Sequence, residues 1–99
     1  MARGRLSPIH PGEALGDVLH EAGLSASALA LALRVPANRI TKILKGERGI
    51  TADTAIRLGR YFGTSAEMWI NLQAKYELDV AQDTLGEQIA REVPPRSAA

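Results

Sequence analysis

Apolar residues recur along the chain at intervals of three and four positions, which is the spacing of one face of an α-helix. The first of these runs begins at Leu15 and the last ends at Val93. Nowhere does the sequence alternate apolar and polar residues as a half-buried strand would. The pattern therefore predicts an all-α protein whose helices are joined by short loops.

Capping residues and glycines divide this pattern into helices, because serine and threonine suit helix starts and glycine suits the left-handed residue after a helix end. Two starts are open for the fifth helix: Ser65, or Thr64 in a capping box with Glu67. A break near residues 77–79 would separate this helix from a sixth. The predicted helices are one over 11–22 closed by Gly23, one over 26–33 after the Ser25 cap, one over 36–45, one over 52–62 between Thr51 and Gly63, one carrying Trp69, Leu72 and Tyr76, and a last one over about 80–93.

Positive charge is concentrated in the middle of the chain. The 99 residues carry a net charge of only +1. Residues 34–60 hold seven Lys and Arg against two acidic residues, whereas residues 61–99 hold three against six. Such asymmetry favours a face that binds a polyanion, although a solvated helix surface would give the same pattern.

Several classes of protein are excluded by what the sequence lacks. It has no cysteine, and its two histidines are ten residues apart without a metal-binding spacing. The longest apolar run, residues 28–33, is far too short to span a membrane. No nucleophile and base stand at a plausible catalytic spacing. We therefore expect a cytoplasmic, non-enzymatic protein without metal, cofactor or membrane contact.

The second and third predicted helices have the outline of a helix-turn-helix, in which one short helix braces a second, DNA-reading helix across a tight turn. The bracing helix, 26–33, is apolar on nearly every side. The reading helix would bury Ile40, Ile43 and Leu44. Its other side is polar and largely cationic, with Asn38, Arg39, Thr41, Lys42 and Lys45.

Five segments of the chain carry a further signal. They are Ile-His-Pro-Gly-Glu at 9–13, Val-Pro-Ala-Asn-Arg-Ile at 35–40, Gly-Glu-Arg-Gly-Ile-Thr-Ala-Asp-Thr-Ala at 46–55, Leu-Gly-Arg-Tyr-Phe-Gly-Thr-Ser at 58–65 and Met-Trp-Ile-Asn-Leu-Gln at 68–73. Together these segments resemble the HigA/VapI group of antitoxins within the XRE, or Cro/C1-type, helix-turn-helix family. The resemblance implies a lambda-repressor-like five-helix fold, here with an additional C-terminal helix, and a homodimer that binds a palindromic operator. It also implies a toxin partner, a HigB-type mRNA endonuclease, and no catalytic role.

This interpretation divides the chain into a flexible arm at 1–9, a helix-turn-helix domain at 10–78, and a C-terminal helix with a disordered tail at 79–99. Arg3 and Arg5 suit either a minor-groove arm or a disordered tail. The last helix suits either a basic partner or packing on its own domain. The Trp69 side chain suits the core better than an interface. With Leu72 and Tyr76 it is assigned to the core or the dimer.

The DNA contacts are expected from seven side chains. Asn38, Arg39, Thr41 and Lys42 would face base edges, although Asn38 could equally be a local cap. Neither Arg39 nor Lys42 has an acidic residue at helical spacing, so no salt bridge is expected for them. The remaining contacts, to phosphate, are expected from Lys45 and Arg48 and from Ser25 at the start of the bracing helix.

Three departures from the family pattern bear on this interpretation. Arg34 occupies the turn where the family commonly has glycine, and Ala26 occupies the place of a glutamine that touches the DNA backbone. Ala28 likewise replaces a commonly polar residue. Two alternative functions stay open: a stand-alone regulator without a toxin, and a toxin-binding adaptor that does not read DNA.

Overall fold

Five α-helices and short loops make up residues 7–97, the part of the chain that the computed structural model describes. The predicted N-terminal arm with Arg3 and Arg5 lies mostly outside these residues. The all-α, five-helix fold is confirmed. The helices are α1 (Pro11–Ala22), α2 (Ala26–Leu33), α3 (Ala37–Leu44), α4 (Ala52–Phe62) and α5 (Ala66–Glu92).

Side chains cap the starts of four helices. The hydroxyl oxygens of Ser25 and Thr51 accept from the N–H groups of Ala28 and Thr54, as the sequence predicts. At α1 the cap is His10, whose Nδ1 accepts from the Gly12 N–H at 2.9 Å. Pro36, predicted as the first residue of α3, is instead its N-cap.

Ser65 is the cap of α5. Its Oγ accepts from the Met68 N–H at 3.1 Å, so the capping box of Thr64 and Glu67 is wrong. The Thr64 hydroxyl instead accepts a 3.2 Å hydrogen bond from the indole Nε1 of Trp69. That bond satisfies the indole, because Trp69 is only 1% exposed and lies in the core. The prediction that Trp69 is a core residue is confirmed.

The core lies between the five helices, where α5 packs against α4 and α1 while α3 packs against α1 and α2. Its members come from every helix and from the loop before α4, namely Leu15, Leu19, Leu29, Ala30, Leu33, Ile40, Ile43, Ile50, Ala55, Leu58 and Trp69.

The first and third helices touch at backbone distance. Gly12 of α1 is buried against α3, and a Cβ atom there would overlap the backbone carbonyl oxygen of Ile43. Only a residue without a side chain allows this approach. The contact fixes the buried edge of α3 and leaves its opposite face outside.

The fifth helix is uninterrupted for 27 residues, so the predicted break at 77–79 and the separate sixth helix are wrong. Side-chain pairs four residues apart bridge the expected break. Gln73 donates to Glu77 at 2.8 Å, and Lys75 forms a 3.1 Å ion pair with Asp79. Pairs at this spacing stabilise a helix. The proposed domain boundary at 78 and 79 therefore falls within α5.

Candidate nucleic-acid interface

A tight left-handed turn joins α2 to α3. Arg34 has φ 62° and ψ 45°, and it is the one non-glycine residue with positive φ in the described part of the chain. The N–H groups of Arg34 and Val35 close the turn by donating to the carbonyls of Leu31 and Ala30. A residue with a Cβ costs about 1–2 kcal/mol in this conformation. The turn is thus not relaxed to accommodate the arginine.

The two faces of α3 differ sharply. Ile40 and Ile43 are fully buried, whereas Asn38, Lys42 and Lys45 are exposed. These three polar residues stand at i, i+4 and i+7, so they share one side of the helix and its end. Thr41 is half-buried and donates to the Asn38 carbonyl at 3.3 Å. Arg48 is exposed in the following loop.

Arg39 stands at the edge between these faces and forms an ion pair with α4. Its Nη1 lies 3.0 Å from Oδ1 of Asp53. The interpretation that Arg39 has no salt-bridge partner is therefore wrong. Helical spacing did not reveal the pair, because Asp53 is 14 residues away on another helix.

Asp53 is shared by a second arginine. The Nε of Arg57 donates to the same Oδ1 at 2.7 Å, and its Nη1 donates to the Leu33 carbonyl at 2.8 Å. Hydrogen bonding and charge from Arg57, followed by those from Arg39, hold the pKa of Asp53 below its usual value against the opposing effect of desolvation. The carboxylate is therefore ionised at neutral pH. One network joins the end of α2, the edge of α3 and the first turn of α4.

Known proteins share the sequence pattern and the fold of this chain. A model of the helix-turn-helix family matches residues 18–69. Virulence-associated protein I of Dichelobacter nodosus is 51% identical over 81 residues, which are 81% of this chain and 75% of that protein. The chain belongs to the HigA/VapI group of helix-turn-helix proteins.

Two solved structures of the group have nearly the same fold. The antitoxin HigA of Pseudomonas aeruginosa, solved with the higBA promoter, has a TM-score of 0.89 and 52% identity, and the match covers 91% of this chain and 99% of that one. An addiction module antidote protein of the HigA family from Coxiella burnetii has a TM-score of 0.89 and 48% identity, and the match covers 92% of this chain and all of the other.

In this HigA/VapI-group chain, the start of α2 is exposed at the end of the helix away from the turn. Ser25 is exposed and its Oγ is the N-cap of the helix, while Ala26 is half-buried against the core. The position of the family's glutamine therefore contributes packing and no polar group. What this end of α2 offers to a phosphate is the serine hydroxyl and the N–H groups of the first turn.

The loop between α3 and α4 is held by α5, which sequence reasoning missed. The side-chain oxygen of Gln73 accepts from the Ile50 N–H at 2.7 Å. Gly49 lies under the same amide, and a Cβ there would stand 2.8–2.9 Å from its three terminal atoms. The one sequence signal was that Gln73 ends the last segment resembling the HigA/VapI group.

The structure does not bring Leu72 and Tyr76 to an open surface of α5. Leu72 is half-buried against the core, and the Tyr76 ring meets the His10 ring edge-on at 4.8 Å between centroids. Together with Trp69 they form the inner side of the helix. Within residues 7–97, no group of three or more His, Cys, Asp and Glu residues could hold a metal ion, and no helix is long and apolar enough to cross a membrane.

Proposed function

We propose that this chain is a DNA-binding repressor that acts at its own promoter as a homodimer and, as an antitoxin, neutralises a HigB-type mRNA endonuclease. One observation carries the DNA-binding part. A buried, braced α3 presents Asn38, Lys42 and Lys45 on one exposed side, in a fold that HigA of Pseudomonas aeruginosa shares while bound to a promoter.

The proposed roles divide by position. Asn38, Arg39, Thr41 and Lys42 on α3 read base edges in the major groove, because a helix enters that groove and its exposed polar groups reach the bases. Lys45, Arg48 and the α2 start at Ser25 contact phosphates and set the register. Phosphate neutralisation releases counterions, so affinity falls steeply as salt rises.

A mobility-shift titration tests this function. The probes are the best-bound duplex that the wild-type chain selects from a randomised pool and a scrambled duplex of equal composition. Lys45→Ala should weaken binding to both probes, whereas Lys42→Ala should weaken mainly the selected one. Lys75→Ala is the matched control, because it removes the same charge from α5. Equal affinity of wild type for both probes, with no dependence on salt, would contradict the proposal.

The dimer is supported by an apolar stripe on α5. Leu78, Leu85 and Ile89 are 45–58% exposed. At about 100° per residue, the nine steps from Trp69 to Leu78 make about two and a half turns, so these two side chains lie on opposite sides of the helix. The stripe therefore faces away from the protein's own core, which leaves a second copy to cover it. A two-fold pair would place two reading helices about 34 Å apart, as an inverted repeat requires.

The antitoxin part rests on membership of the HigA/VapI group. Its test is co-expression with the product of the neighbouring reading frame, which we expect to be a small basic protein. Growth arrest by that protein should be relieved by this chain, and the two should co-purify. Retained repression without relief of the arrest would instead identify a transcriptional regulator that does not neutralise this protein.

A further inference from the structure

We propose that Asp53 is a positioning residue for DNA recognition: with Arg57 it holds the Arg39 guanidinium so that its remaining donors meet a guanine edge in the major groove. The inference rests on the proposed DNA-binding function and deepens it. It assigns a role in recognition to an acidic side chain that would otherwise only repel DNA.

The first support is that Arg39 is already ordered. Its side chain is 24% exposed, and its Nε is enclosed without a hydrogen-bond partner. In the described part of the chain, the guanidinium makes one hydrogen bond, from Nη1 to Asp53. A guanidinium has five donors in a planar fork. With Nη1 bonded to Asp53 and Nε enclosed, Nη2 and the second N–H of Nη1 are the donors left for DNA. A held side chain also loses less conformational entropy on binding.

The second support is what holds Asp53 itself. The same Oδ1 that accepts from Arg39 accepts from Nε of Arg57 at 2.7 Å, and Nη1 of Arg57 reaches the Leu33 carbonyl at 2.8 Å. Through Asp53 and Arg57, the orientation of the Arg39 side chain is fixed relative to the last turn of α2. Since α2 and the turn also set the angle of α3, the arginine and its helix are aligned by one network.

The third support is the chemistry of the expected contact. The commonest specific contact between a protein and a base is the one in which arginine or lysine donates two hydrogen bonds to O6 and N7 of guanine. Both donors must be presented in one plane, which a free arginine on a helix surface does not guarantee. The bond from Nη1 to Asp53 supplies that restriction, because it limits the rotation of the guanidinium plane.

Charge and positioning predict opposite results for the substitution Asp53→Asn. Removing a carboxylate near the DNA face should strengthen binding to every duplex if charge alone matters. If Asp53 positions Arg39, the selected duplex should bind about tenfold more weakly, while the scrambled duplex binds equally or more tightly. Glu47→Gln is the matched control, because it removes one carboxylate from the loop after α3. It should tighten binding to both duplexes.

The experiment is a double-mutant cycle with Arg39→Ala, read as the ratio of affinities for the selected and scrambled duplexes. Asp53→Asn and Arg39→Ala should each lower this ratio, and the double variant should lower it no further than Arg39→Ala does. Asp53→Glu, which keeps the charge, should recover part of the ratio lost in Asp53→Asn. Melting curves of all variants show that the fold is retained, since the Asp53 side chain is 56% exposed.

Three outcomes overturn the inference. In the first, Asp53→Asn strengthens binding to both duplexes as Glu47→Gln does. In the second, Arg39→Ala weakens binding to both duplexes equally. In the third, Asp53→Asn lowers the affinity ratio further in a chain that already carries Arg39→Ala. If one of these results is obtained while the wild-type chain binds the selected duplex more tightly than the scrambled one, the proposed function still stands. A wild-type chain that does not discriminate at all overturns both proposals.

Discussion

The side-chain oxygen of Gln73 on α5 lies 2.7 Å from the backbone nitrogen of Ile50, in the loop that follows the reading helix. This hydrogen bond joins the longest helix to the loop that carries Arg48. The loop geometry on the DNA side therefore depends on a residue of the helix whose other side carries the proposed dimer stripe.

Gln73→Ala should lower the free energy of unfolding by about 1–2 kcal/mol, because the Ile50 N–H loses its acceptor. Urea denaturation measures the loss, and faster amide exchange at Ile50 locates it. The matched control is Gln82→Ala, at an exposed position of the same helix. Unchanged exchange at Ile50 would show that the bond does not hold the loop.

Alanine should have opposite effects at two glycines. Gly12→Ala forces a Cβ against the Ile43 carbonyl and should cost about 1–3 kcal/mol or more, because backbone cannot move aside cheaply. Gly86→Ala lies in α5 with nothing within 4 Å, so it should stabilise by about 0.5–1 kcal/mol. The midpoints of thermal unfolding should move apart, and a Gly12→Ala midpoint equal to or above that of wild type would refute the close approach of α1 and α3.

Arg34→Gly should raise the free energy of unfolding by about 0.5–1 kcal/mol, because glycine adopts the left-handed turn without strain but is freer when unfolded. The same change should weaken binding to selected and scrambled duplexes alike, since it removes a cation beside α3. Arg34→Lys keeps both the charge and the strain and is the control. If Arg34→Gly made the protein less stable than wild type, that result would contradict the strain at this turn.

Leu85→Asp should give a monomer with unchanged helix content. Leu85 is 45% exposed and faces away from the core, so the charge disturbs association and not the fold. Sedimentation measures the mass and circular dichroism the helicity. Leu72→Asp is the contrasting change, because Leu72 packs against the core and its substitution should lower the melting temperature. A dimeric Leu85→Asp variant would place the interface elsewhere.

The first four helices could be predicted to within a residue or two because their boundaries depend on local chemistry. Ser25, Thr51 and two closing glycines act within one turn of their own position. The predicted break in α5 was wrong although a local signal stood against it. Lys75 and Asp79 are four residues apart, which is the spacing of an ion pair on a continuous helix.

The exposed cationic side of α3 could also be predicted, because Ile40 and Ile43 mark the buried side by their spacing. The network around Asp53 could not. Its members lie on three elements, and a pair separated by 14 residues leaves no periodic signal in one sequence. The same holds for Gln73, which is 23 residues from the N–H it binds.

Trp69 and Leu78 lie on opposite sides of α5, and this arrangement has a consequence for insertions and deletions. One residue added between them would turn the outer stripe by about 100° relative to the core, while most substitutions there would leave the angle unchanged. An insertion of about seven residues would restore the angle between the stripe and the core to within about 20° and lengthen α5 by about 10 Å. Length variants of this segment should therefore survive in steps of about seven, with the two DNA-reading helices of a dimer moved to a new spacing.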